Sequence, residues 1–179
     1  MPPYDDAAII AGQGTVGREI AEDLTVLDIL PDVVIAPASG GGLVAGVATA
    51  IKARFPRTAV MTAEPEGFDD HARSLRSGKR EPHHAETRTI CDALMASIPG
   101  ELTFAINHHL QVQGVVTSDR EVGVAIATAF RELKLVVEPG GVVGLAALLA
   151  GRFEARGNTV VVVLSGGNVD ADLFARLIS

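Results

Sequence analysis

The stretch Val33-Val34-Ile35-Ala36-Pro37-Ala38-Ser39-Gly40-Gly41-Gly42-Leu43 carries an apolar run straight into three consecutive glycines. Val33 to Pro37 is rich in β-branched residues and free of charge, the pattern of a strand covered on both faces. The glycines lack a Cβ, so their N–H groups stay open and the backbone can close around an anion. Val44 to Arg54 reads as a helix, and the partial positive charge of its N-terminus faces the same spot. Strand, glycine nest and helix in this order make a phosphate cup. Neither common nucleotide signature fits: no Lys-Ser/Thr pair follows the glycines, and the G-x-G-x-x-G spacing is missing. A tight turn is the plain alternative for such a run.

Three more short β-branched runs read as strands: Ala59 to Ala63, Val115 to Thr117 and Val160 to Leu164, all but the second of these near-continuously apolar. Helical patterns separate them. Thr15 is placed to cap a helix running to about Leu30, where Pro31 blocks continuation. Ser118-Asp119-Arg120-Glu121 is a capping-box pattern opening a helix toward Leu133. Gly140 to Phe153 reads as a small-residue helix able to approach a sheet closely, and Arg76 to Arg88 as a surface loop. The alternation predicts an α/β fold: an open, mainly parallel twisted sheet with helices on both faces, residues 1–179 forming a single domain.

A chain of 179 residues can bury a sizeable core. Hydrophobic residues make up 47% and aromatics only 4%, which suits small-residue helices on a buried sheet and points to a surface covered by a partner. The net charge of −7 weighs against nucleic acid or an anionic membrane as partner. Cys91 is the only cysteine, so no internal disulfide forms, and a reducing compartment fits. No stretch is long and apolar enough to span a bilayer, and Met1 to Asp6 is acidic rather than signal-like. The expected location is cytoplasmic.

A second glycine turn, Leu164-Ser165-Gly166-Gly167-Asn168, follows the fourth strand pattern. In a parallel sheet both turns fall at strand carboxyl ends, where open α/β sheets bind ligands. Ile9-Ile10-Ala11-Gly12-Gln13-Gly14-Thr15, Ser39 to Leu43, Glu64-Pro65, Glu138-Pro139-Gly140-Gly141 and Leu164 to Asp170 occur in a familiar order and spacing. Together they resemble the C-terminal half of the serine/threonine dehydratases and serine racemases, which are fold-type II (tryptophan-synthase-β-like) pyridoxal-phosphate enzymes. The resemblance runs from about Pro3 to Leu177.

The resemblance implies that Ser39, Gly40, Gly41, Gly42 and Leu43 hold the 5′-phosphate of pyridoxal phosphate, Ser39 standing where the family often has glycine. It places Ser165, with Gly166, at the pyridine nitrogen. A neutral hydroxyl there leaves the ring a weaker electron sink, which suits β-elimination because the departing hydroxyl group carries charge away. It puts Glu138 near the ring face or O3′ of the cofactor. By themselves Ser165 also reads as a turn former and Glu138 as a solvated or capping carboxylate. The resemblance further implies a Mg²⁺ or other hard-cation site from Glu64, the carbonyl of Phe68 and Asp70. The four carboxylates between Glu64 and Asp70 equally suit an acidic helix start.

The implied activity is that of a pyridoxal-phosphate-dependent serine/threonine ammonia-lyase, converting a hydroxy amino acid to a 2-keto acid and ammonia. Serine, threonine and 3-hydroxyaspartate stay open as substrates, as does racemisation. The family's Schiff-base lysine and substrate-carboxylate loop belong to its other half, and Lys52, Lys79 and Lys134 lie in contexts unlike that motif. The isolated chain, without a catalytic residue, is therefore expected to be inactive and to hold the cofactor noncovalently. Its partner is expected to be a second copy or the missing N-terminal half. A non-catalytic fragment persisting through oligomerisation, or one subunit of a two-chain enzyme, is the alternative. Nothing after Ser179 matches the regulatory extension of some biosynthetic threonine dehydratases, which leans toward the catabolic or racemase-like branch. His83-His84 and His108-His109 lack metal-ligand spacing, and Cys91 reads as a buried structural thiol.

Overall fold

Val33–Pro37 forms strand β1, buried at every position. The computed structural model describes residues 4–84 and 86–179, so Met1 to Pro3 of the acidic terminus and Ala85 of the middle loop lie outside the described residues. β1 pairs in parallel with β2 (Ala59–Pro65) on one side and β4 (Val160–Val162) on the other; β2 pairs in parallel with β3 (Gln113–Thr117). The sheet order is β3-β2-β1-β4. Successive β1 side chains alternate between faces. Val34 and Ala36 pack with Val44, Val47, Ala48 and Ile51, while Val33 and Ile35 pack with Ile126, Ala146 and Ala147. Two apolar layers result, one on each side of the sheet, as the near-continuous apolar strand requires.

Helix α1 (Ala7–Val26) begins before Thr15, contrary to the sequence expectation, and stops short of Leu30. Asp6 is the cap: its carboxylate accepts the N–H groups of Ala8 and Ile9 at 2.8 and 3.2 Å. Thr15 lies inside the helix, its hydroxyl donating to the Gly12 carbonyl at 2.7 Å. α1 lies along α2 (Gly42–Arg54) in unusually close contact: a Cβ on Gly46 would stand 2.5 Å from both Gly14 N and the Ile10 carbonyl oxygen.

α3 (Asp70–Ser77) claims the first residues of the expected middle loop and stops at Gly78, whose φ is +74°. α4 (Glu101–His109) takes its cap from far along the chain, since Asp5 accepts the N–H groups of Glu101, Leu102 and Thr103. α5 (Asp119–Thr128) opens with the expected Ser118/Glu121 capping box and runs into one π-helical turn, Ala129–Leu133. α6 (Val143–Leu149) is shorter than the expected Gly140 to Phe153. Its front residues form a turn, with Gly141 N donating to the Glu138 carbonyl at 3.1 Å, and Gly151 at φ +65° ends it. α7 (Ala171–Ile178) is capped by Asp170.

From β1 the chain passes through α2 to β2 and β3 on one side, then returns through α6 to β4 on the other. The sheet order reverses between β1 and β4. The glycine loop and the Ser165 turn both leave the sheet there, at the switch point where doubly wound sheets bind ligands. Among the described residues no helix is long and apolar enough to cross a membrane.

Candidate functional site

The end of β1 delivers Ser39, Gly40 and Gly41 to the start of α2. Gly41 is the N-cap, with φ +93°, a left-handed conformation that glycine adopts without steric cost. The Ser39 hydroxyl turns away to accept the Ala96 N–H at 3.0 Å. Across the crevice, the Glu138 carboxylate accepts the Asn168 N–H at 3.0 Å, and Glu138 N donates to the Gly166 carbonyl at 3.0 Å. Ser165 is thus held at the crevice by the 138–141 turn, its own N–H donating to the Gly141 carbonyl at 3.3 Å. Its hydroxyl has no side-chain hydrogen bond among the described residues.

One cavity of about 460 Å³ is lined by Ser39, Gly40, Gly41, Gly42, Leu43, Glu138 and Ser165, joined by Tyr4 and the 92–96 segment. Gly166 stands just behind, packed on Glu138. Among the described residues no lysine lines this cavity. The arrangement offers unshielded backbone donors and a helix N-terminus from the glycine loop, a hydroxyl from the Ser165 turn, and the carboxylate residues Glu138 and Asp92. Tyr4, which the sequence did not single out, lays its ring against Gly40.

Glu64, Phe68 and Asp70 do not open on this cavity. Glu64, at the end of β2, is wholly buried and accepts the N–H groups of His71 and Ala72 at 2.9 and 2.7 Å. Burial first, then the neighbouring Asp70 charge, pushes its carboxyl well above the usual range. Burial likewise raises Asp70 to about 6, and Asp70 Oδ2 is buried without a hydrogen-bond partner. Phe68 is buried on the turn between them. Among the described residues no three His, Cys, Asp or Glu side chains gather as a metal cluster.

His71 and Asn107 escape sequence reasoning altogether. Both are fully buried; His71 touches Gly41, and Asn107 Nδ2 lies 3.0 Å from His71 Nε2 and 3.4 Å from the Gly41 carbonyl oxygen. Burial lowers the His71 pKa to about 4, so the ring is neutral near pH 7. No local pattern marks either residue, because their meeting depends on how α3 and α4 pack. Cys91 is buried as expected, and burial pushes its thiol up to about 12.

Fold and crevice together define an open α/β protein with a glycine-rich turn at the switch point of its sheet. Residues 1–166 match the family described as "Pyridoxal-phosphate dependent enzyme". The chain is 40% identical to the catabolic L-threonine dehydratase TdcB of Escherichia coli, over 99% of its own length and 53% of that protein. It is 39% identical to serine racemase of Arabidopsis thaliana, over 94% of its length and 50% of that protein. The crystal structure of maize serine racemase superimposes with a TM-score of 0.86 at 36% identity, covering 98% of this chain and 53% of that one. The chain belongs to the family of pyridoxal-phosphate dependent enzymes. It spans about half the length of the curated relatives it matches.

Proposed function

We propose that residues 1–179 form the cofactor-binding α/β domain of a pyridoxal-phosphate-dependent ammonia-lyase acting on a small hydroxy amino acid. The observation that carries this is the single cavity shared by the glycine loop, Glu138 and Ser165. In this reading the N–H groups from Gly40 to Leu43 and the N-terminus of α2 bind the phosphate dianion. The Ser165 hydroxyl meets the pyridine nitrogen without protonating it fully. Glu138 keeps the Ser165 turn at the correct distance, by its bond to Asn168 and its packing on Gly166. Bound there, the cofactor supplies the electron sink that acidifies the substrate Cα–H bond. By leaving the ring nitrogen without a charged partner, the Ser165 hydroxyl would attenuate that sink, which suits loss of a β-hydroxyl group from the substrate.

Glu64, Phe68 and Asp70 fit a hard cation such as Mg²⁺. Two buried carboxylates lie near each other; Glu64 already accepts two backbone N–H groups, while Asp70 Oδ2 is unpartnered and a divalent ion would satisfy it. Two carboxylates and the Phe68 carbonyl would be its protein ligands.

The lysine that anchors the cofactor comes, in this proposal, from a separate segment. The sheet edge at β4 favours that reading: β4 pairs with β1 on one side only among the described residues, and Leu135 and Val136 near the Ser165 turn are exposed. Borohydride reduction of the chain with pyridoxal phosphate, followed by intact mass, tests it. The expected result is reversible binding, competed by inorganic phosphate, with an unchanged protein mass. A stable adduct at one defined lysine would overturn the proposal, as would the absence of any binding.

A further inference from the structure

We propose that Asn107 and His71 are positioning residues for the phosphate cup proposed above, fixing from behind the direction in which its N–H groups point. In a planar trans peptide the carbonyl and the next residue's N–H point in opposite directions. The Gly40 carbonyl is drawn back toward α4 by the Thr103 hydroxyl at 2.6 Å and the Gly100 N–H at 3.0 Å, which turns the Gly41 N–H the other way. The Gly41 carbonyl takes the Ala45 N–H at 2.9 Å and the Asn107 amide at 3.4 Å, which turns the Gly42 N–H the other way.

His71 completes the brace. The same Asn107 amide donates to its Nε2, and its ring fills the place a Gly41 side chain would take, Nδ1 standing 2.9 Å from that point. Its backbone N–H is held in turn by Glu64 Oε1 at 2.9 Å. A buried carboxylate, a buried imidazole and a buried amide thus form one chain of contacts ending on Gly41. None of the three lines the cavity, so they act on a ligand only through the loop.

The test compares pyridoxal phosphate with pyridoxal, which lacks the phosphate, in equilibrium titrations of the whole chain followed by ligand absorbance and fluorescence. The wild-type chain is expected to prefer the phosphorylated form strongly. Asn107→Leu and His71→Leu should lower that preference by roughly threefold to tenfold, the loss of one or two hydrogen bonds, with pyridoxal affinity unchanged. His71→Gln, which returns an acceptor near the Nε2 position, should restore it. If Asn107→Leu does not fold, Asn107→Ser, with a hydroxyl too short to reach Gly41, gives the same comparison. Folded variants that keep the full preference would overturn the positioning role. A wild-type chain without the preference would instead overturn the cup itself, so the two failures are distinct.

Discussion

The Glu138 carboxylate lies directly against Gly166: a Cβ on that glycine would stand 2.6 Å from Oε1 and 2.8 Å from Cδ. The other oxygen takes the Asn168 N–H at 3.0 Å, so a single side chain clamps the turn that presents Ser165. Gly166→Ala is therefore expected to swing the Glu138 carboxylate aside and to cost about 0.5–1.5 kcal/mol, the worth of its bond to the Asn168 N–H. Glu138→Ala should cost a similar amount, since it removes the same bond and leaves the exposed Asn168 N–H to water. Because the two act on one contact, the double variant should fall well short of the sum. Chemical denaturation of the four proteins checks this, and strict additivity would show that the clamp does not exist.

Two glycines of the first helix pair have opposite expected effects. Gly46 sits where α1 and α2 meet, and a methyl group there has no room beside Gly14 N and the Ile10 carbonyl. Gly46→Ala should destabilise by about 1–3 kcal/mol. Gly12 lies within α1 with nothing within 4 Å of its Cβ position. Gly12→Ala should stabilise by about 0.5–1 kcal/mol, since alanine loses less backbone entropy in a helix. Thermal melts by circular dichroism read both, and a Gly46→Ala melt at or above wild type would contradict the packing described.

The strands are legible in the sequence because each is short and β-branched, and all but β3 are near-continuously apolar; β1 has its expected bounds, and β2, β3 and β4 differ from expectation only at their ends. The turn between β1 and α2 is legible because three glycines directly after a strand pattern mark a tight connection. Thr15 misleads because a threonine before an apolar pattern resembles a cap, while the true cap, Asp6, is marked only by where the pattern ends. α4 leaves no strong periodic trace, and α4 and α7 gain their starts from Asp5 and Asp170. His71 and Asn107 cannot be read from the sequence at all. They lie 36 residues apart outside any motif, and only the meeting of α3 with α4 brings both to Gly41.

Acid and base should act oppositely on the carboxylate pocket and the imidazole beside it. The folded state raises Asp70 from 3.8 to about 6, so its contribution is complete below pH 3.8 and is lost as pH rises through 6. It lowers His71 from 6.5 to about 4, so that contribution is present above 6.5 and is lost as pH falls toward 4. Mg²⁺ would replace the proton on Asp70. Added Mg²⁺ should therefore raise the melting temperature clearly at about pH 7.5, above the raised Asp70 pKa, and little at about pH 5, below it, with chelation reversing the gain. Asp70→Asn should remove the response at both values. An equal Mg²⁺ effect in that variant would place the ion elsewhere.

Ser165 provides the complementary probe of the crevice, because it lines the same cavity from a different turn. Its hydroxyl is exposed and without a side-chain partner among the described residues, so replacing it disturbs no internal bond. Ser165→Ala should leave stability within about 0.5 kcal/mol of wild type, as expected for a surface change. The ligand effect should be different. Loss of one hydrogen bond to the ring should weaken pyridoxal and pyridoxal phosphate alike, by roughly threefold to tenfold, leaving the preference for phosphate intact. Ser165→Asp should bind with a red-shifted ligand absorbance, since a carboxylate holds the pyridine nitrogen protonated. If Ser165→Ala changed the phosphate preference but left pyridoxal binding untouched, the ring would lie elsewhere in the cavity, and Ser165 would be only a turn residue.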